Sequence, residues 1–229
     1  MDINKAFRFV FDDKQWISKL LIGVLMTLAG FLIIPALILQ GYLIKIIRQV
    51  MGGQNDELPE WSDYGDLLRD GFFVTVGQLI WFLPLILALL VVGVTTGGFA
   101  SMVEGSGASG LIATGGGLLI LCLALLLVVA ALFLTPALLI QYAIKGEFGA
   151  LFRFGEIRDL IRDHMADILI VFLVTLVAST IIGAVAFIPC LGWIIALAAG
   201  PYISFVSGHL YGQIAAKTLG NKGAQLPTL

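Results

Sequence analysis

The fold class this sequence predicts is all-α, a polytopic bundle of membrane-crossing helices, and three observations predict it. Mean hydropathy is +1.03, with 59% of residues hydrophobic and 12% charged, whereas soluble domains hold about 45–50% apolar and about 25% charged residues. Four runs, at about 71–103, 111–144, 168–187 and 191–216, carry no Asp, Glu, Lys or Arg, and a fifth at 20–44 is similar. A helix crosses a ~30 Å hydrocarbon core in about 20 residues, so each run is long enough. Blocks such as LLILCLALLLVVAALFL lack the period-two alternation of barrel strands, so the spans are helices.

Taken in order, residues 1–17 interleave Phe7, Phe9, Val10, Phe11 and Trp16 with charges. That pattern predicts a short amphipathic helix lying among lipid headgroups, with Trp16 and Lys19 as an interfacial anchor pair. The run that follows is too long for a signal peptide and ends without a small-residue cleavage site, so the segment is expected to be retained. From Ser18 to Arg48 a single straight helix would measure about 46 Å, well beyond the core. Gly30 and Pro35 divide the segment, and a mid-run proline removes a helix hydrogen bond. It is either one kinked crossing or a hairpin that enters and leaves on one side.

Positive charge favours the hairpin, because Lys and Arg gather in cytoplasmic loops. Of 13 basic residues, four precede the first run, seven lie in two connecting loops (Lys45, Arg48, Arg69; Lys145, Arg153, Arg158, Arg162) and two in the tail. A hairpin puts all of them on one side, and a single crossing strands the first four. The segment 105–117 reads as a flexible outer loop, the pair Gly97–Gly98 as the end of the helix before it, and the tail from Leu219 as disordered.

The chain also carries an internal repeat. PALILQGYLIK (35–45) matches PALLIQYAIK (136–145) at seven of ten positions once Gly41 is skipped, and DLLRD (66–70) matches DLIRD (159–163). The matched order predicts a parallel repeat, 18–103 and 111–187, followed by a last span at 191–216 and a tail at 217–229. In each copy proline bends the incoming helix and a glutamine, Gln40 or Gln141, offers an interhelical hydrogen bond. A tyrosine and lysine, Tyr42 with Lys45 and Tyr142 with Lys145, mark the exit at the headgroups.

Chemistry-bearing residues are few. Asp63, Asp66 and Asp70 follow i, i+3, i+7 spacing, so one helix face can present three carboxylates. Asp159 and Asp163 stand in the second loop beside His164, and the bland reading of both groups is a solvated face balanced by arginines. His209 and Gln213 fall in the last run, where interhelical hydrogen bonding is the simplest role. Cys122 and Cys190 have no metal-ligand spacing and read as buried small residues. No catalytic, metal or cofactor site is expected, and the net charge of −2 gives no reason to expect nucleic acid.

At GYLIKIIRQVMGGQNDELPEWSDYGDLLRDG (41–71), FRFGEIRDLIRDH, FIPCLGW and GHLYGQ the chain resembles the domain of unknown function 4013 family of integral membrane proteins. LPEW at 58–61, containing Trp61, is the most specific element; Ser62 and Tyr64 depart from the family's acidic and tryptophan-like residues. The resemblance implies a multi-span helical protein and supplies no activity. The function expected is that of a non-enzymatic scaffold or accessory subunit packing against lipid, membrane proteins or its own copies, with Trp61 and the acidic residues at the cytoplasmic interface. The alternatives are a passive channel or small-molecule or lipid transporter between the two repeats, and a membrane enzyme using Asp63, Asp66, Asp163 and His164.

Overall fold

The computed structural model of the chain describes residues 1–102, 107–186, 188 and 191–222. Every regular element among them is helical: α1 (Ile3–Asp12), α2 (Trp16–Leu28), α3 (Ile34–Met51), α4 (Tyr64–Met102), α5 (Gly107–Lys145), α6 (Phe154–Ala186) and α7 (Leu191–Lys222), with short 3-10 turns at Ala29–Leu32 and Phe148–Phe152. Four of these are long and apolar enough to cross a membrane: α3, α4 over Tyr64–Thr95, α5 over Gly115–Lys145, and α6. The α1–α2 pair, bent by 100°, makes a fifth only if taken as one span. The expected last span, 191–216, falls within α7, which has Pro201 inside it.

The chain forms two compact units, Met1–Gly77 with Pro136–Leu229, and Gln78–Thr135. In the first, α7 is the element the others gather on, packing against α1, α2, α3 and α6. Phe9 and Val10 of α1, Tyr42, Ile46 and Val50 of α3, Leu58, Trp61, Leu67 and Phe205 form its core. Ala6, Phe9 and Val10 of α1 are therefore buried against protein, while Ile3 and Phe11 stay exposed. Lys19, expected at the headgroups beside Trp16, is only 4% exposed. Its ammonium pairs with Asp13 at 2.8 Å and Glu60 at 2.7 Å and donates to the Leu58 carbonyl, since a buried ammonium needs its charge and donors satisfied.

The segment 18–48 doubles back. Ile33 takes φ 66° and ψ −53°, close to a strained γ-turn, and Pro35 sits in the first turn of α3, where its missing N–H costs nothing. Lys19 at the start of α2 and Lys45 late in α3 both reach Glu60, one by its carboxylate and one by its carbonyl. Both arms thus return to one end, leaving an apolar tip at which Phe31 is 81% exposed. At that end α3 and α4 touch backbone to backbone. A Cβ at Gly41 would land on the Leu67 carbonyl and one at Gly71 on the Leu37 carbonyl, so only glycine permits this crossing.

In the second unit no described side chain is buried; Leu83, Leu87, Leu90 and Val91 of α4 and Leu118, Leu121, Leu125 and Val129 of α5 are exposed. Several boundaries differ from expectation. Helix α4 runs through Gly97–Gly98 to Met102, and α5 begins at Gly107, inside the expected loop; 103–106 lie outside the described residues. Glycine lowers helix propensity by only about 1 kcal/mol, less than an unsatisfied peptide group costs in an apolar setting. Helix α7 continues past Leu219 to Lys222; the remaining tail and Cys190 lie outside the described residues, and Cys122 is exposed rather than buried.

Candidate functional site

The polar side chains of the first unit concentrate where α3 and α5 end and α4 begins. Arg48, in the last turn of α3, pairs through Nη1 with Asp70 on α4. Its Nε donates to the Ala143 carbonyl at 3.3 Å, and its guanidinium lies 5.5 Å from the centre of the Tyr142 ring. Tyr142 is fully buried and donates its hydroxyl to the other Asp70 oxygen at 2.7 Å. The side chain expected to mark a headgroup boundary instead holds two helices together, because a buried phenol needs an acceptor.

Two adjoining clefts of about 530 Å³ each flank the Arg48–Asp70 pair. One is lined by Arg69, Lys145 and Gly146, the other by Lys45, Ser62 and Asp63, and both by Gln49, Gln54 and Asp66. Gly146 has φ 69° and ends α5 in the left-handed conformation, with Arg48 Nη2 turned toward it. Next to the clefts Gln141 donates to Glu156 at 2.6 Å, with Lys145 3.7 Å from the same oxygen.

The sequence-predicted residues divide among three places. Asp66 and Asp70 line the clefts and Gln141 adjoins them. The three carboxylates do not share a helix face: Asp63 precedes α4 with φ 57° and its carbonyl accepts the Asp66 and Leu67 amides. Gln40 is remote from Gln141 in role, lining a separate pocket of about 200 Å³ with Thr27 and Ser204. Trp61 is buried and stacks on Tyr42 at 3.7 Å, with its indole N–H on the Lys19 carbonyl and the Tyr42 hydroxyl on the Pro59 carbonyl.

His209 is fully buried against Phe9 and accepts from Gln213, which also bridges to both backbone groups of Asp2. These residues dock α1 on α7. His164 sits at a break in α6, its Nε2 3.1 Å from the Thr218 hydroxyl and its Nδ1 3.6 Å from Asp167, which Lys217 holds. Asp159 pairs only with neighbouring Arg158, and Asp163 is exposed.

Sequence reasoning missed the structural roles of Arg48, counted as loop charge, of Lys19, read as a headgroup anchor, and of their partners Glu156 and Asp13. The one available signal was that Arg48 stands a turn inside a helix end. Among the described residues no three metal-ligating side chains converge. The clefts offer oriented donors rather than an activated nucleophile.

Fold and site together define a helical protein whose apolar helices suit a membrane and whose polar groups collect at one end of its packed unit. The chain belongs to the family described as Protein of unknown function (DUF4013), which matches residues 24–210 and so takes in every residue lining the clefts. It is similar to the Uncharacterized protein MJ1189 of Methanocaldococcus jannaschii, 27% identical over 192 residues that make up 83% of this chain and 64% of that protein. The chain therefore spans less than two thirds of that relative. No solved structure matches it.

Proposed function

We propose that this is a non-enzymatic accessory or scaffold protein of the cell membrane, acting through contact with lipid, membrane proteins or further copies of itself. The observation that carries the reading is the contrast between the units: a knotted polar and aromatic core in one, and exposed leucine and valine throughout the described side chains of Gln78–Thr135 in the other. Apolar surface on that scale calls for lipid or protein around it. On this reading α1 lies at the interface, the basic loops and the C-terminus face the cytoplasm, and the two PAL…Q…K and DL(L/I)RD copies are a parallel repeat. The test is purification in mild detergent after crosslinking in intact membranes. Recurrent higher-mass adducts are expected; a monomer alone in every preparation overturns the reading.

A second reading, a passive route for a small molecule or lipid, is favoured by the cleft between the α3–α4 connection and the end of α5. Flux through proteoliposomes that falls with Arg69→Gln supports it, and no flux above empty liposomes removes it.

A further inference from the structure

We propose that the cleft lined by Arg48, Arg69 and Lys145 binds a phosphate group, carried by a lipid headgroup or by a soluble phosphate compound. Asp70 gives one oxygen to Tyr142 and the other to Arg48, so it orients the guanidinium. Arg48 is thereby held on three sides, by Asp70, the Ala143 carbonyl and the Tyr142 ring, with Nη2 on the side of Gly146 that borders the cleft. With Nε and Nη1 engaged, the Nη2 N–H groups of this fixed guanidinium are the donors left for a phosphate oxygen.

Arg69 stacks on Phe73 at 5.5 Å, and among the described residues no carboxylate lies in ion-pair range of it. Lys145 lies 3.7 Å from Glu156, too far for a hydrogen bond, and that oxygen already accepts from Gln141. Arg48 and Lys145 each carry an ion pair, with Asp70 and Glu156; among the described residues lining the cleft, Arg69 and Asp66 are in none. The C-terminal carbonyls of α3 and α5, which both end at the cleft, oppose an anion, and Arg48 covers one of them, Ala143. Depth points to the lipid source. Lys145 is the last residue of α5 and Arg48 lies in the last turn of α3, two helices fit to cross a membrane, so the cleft opens where headgroup phosphates lie. Only that choice of source rests on the membrane reading.

The experiment uses the full chain in neutral detergent, with short-chain phosphatidic acid, the chain-matched diacylglycerol and inorganic phosphate as probes, read by native mass spectrometry and calorimetry. Phosphatidic acid is expected to bind and diacylglycerol not. The double variant Arg69→Gln/Lys145→Gln, at exposed positions, should bind about tenfold more weakly or worse, with unchanged circular dichroism. Inorganic phosphate that competes at similar concentration assigns the site to soluble phosphates, and phosphate that does not compete assigns it to lipid. Equal binding of phosphatidic acid by wild type and variant, or binding of neither phosphate probe, overturns the proposal. A chain that resists carbonate extraction yet binds neither keeps the membrane reading and loses this one; a chain released by carbonate that binds inorganic phosphate does the reverse.

Discussion

At the scale of single residues, the α3–α4 crossing depends on two hydrogen atoms in place of two methyl groups. Because the obstacle to a Cβ at Gly41 is the Leu67 carbonyl, a part of the backbone, the helices must move apart to admit it. Gly41→Ala should cost about 1–3 kcal/mol, as overpacking does, and show as a lower melting temperature in detergent. Gly93→Ala, where a Cβ meets nothing within 4 Å, should melt at or above wild type; equal melting of the two variants would refute the close approach. Asp13 supports a second expectation. Burial pushes its carboxyl up, but the Lys19 ammonium and the Gln15 and Leu58 amides outweigh that and hold it below its ordinary 3.8. A lowered folded value stabilises the protein above the unfolded value, and the benefit is lost as pH falls through the folded one. Melting should therefore drop between about pH 5 and about pH 3, and Asp13→Asn should lower the first value while shrinking the drop.

At the scale of elements, the helices were legible in the sequence and their partners were not. Apolar runs place α5 and the C-terminal ends of α4 and α6 within a few residues, since the signal is local, while α4 and α6 begin well before their runs, in the charged segments at Tyr64 and Phe154. That Lys19 would be clasped by Asp13 and Glu60, or Tyr142 by Asp70, depends on groups 6 to 72 residues apart in the chain, and no period encodes such distances. The need for glycine at position 41 became visible only once Leu67 lay against it. The α2–α3 hairpin is the case where a sequence-level rule, the distribution of basic residues, anticipated the geometry. It yields a topological test in a chain whose Cys122 and Cys190 are replaced by alanine. In sealed vesicles, Gln15→Cys and Gln54→Cys should react with an impermeant maleimide from the same side, and Phe31→Cys at the tip should react only after detergent is added. Labelling of the first two from opposite sides would mean a single crossing and a geometry different from the one described.

At the scale of the whole molecule, one substitution asks what surrounds the Gln78–Thr135 unit. Leu125 is 57% exposed in α5, and exposed surface positions in a soluble protein tolerate replacement within about 0.5 kcal/mol. If water covers this helix, Leu125→Lys changes little and improves solubility. If lipid does, a lysine near the middle of a span is worse by about 3–4 kcal/mol than the leucine it replaces, and long side chains recover part of that only near helix ends. The variant should then fail to accumulate in the membrane fraction, whereas Leu125→Phe should accumulate normally. The same change at Tyr64, exposed at the polar start of α4, should be harmless in either setting, which separates a cost of burial in lipid from a general cost of added charge. Wild-type levels of Leu125→Lys in carbonate-washed membranes would mean that something other than acyl chains covers α5, and the search for a protein partner would begin on that face.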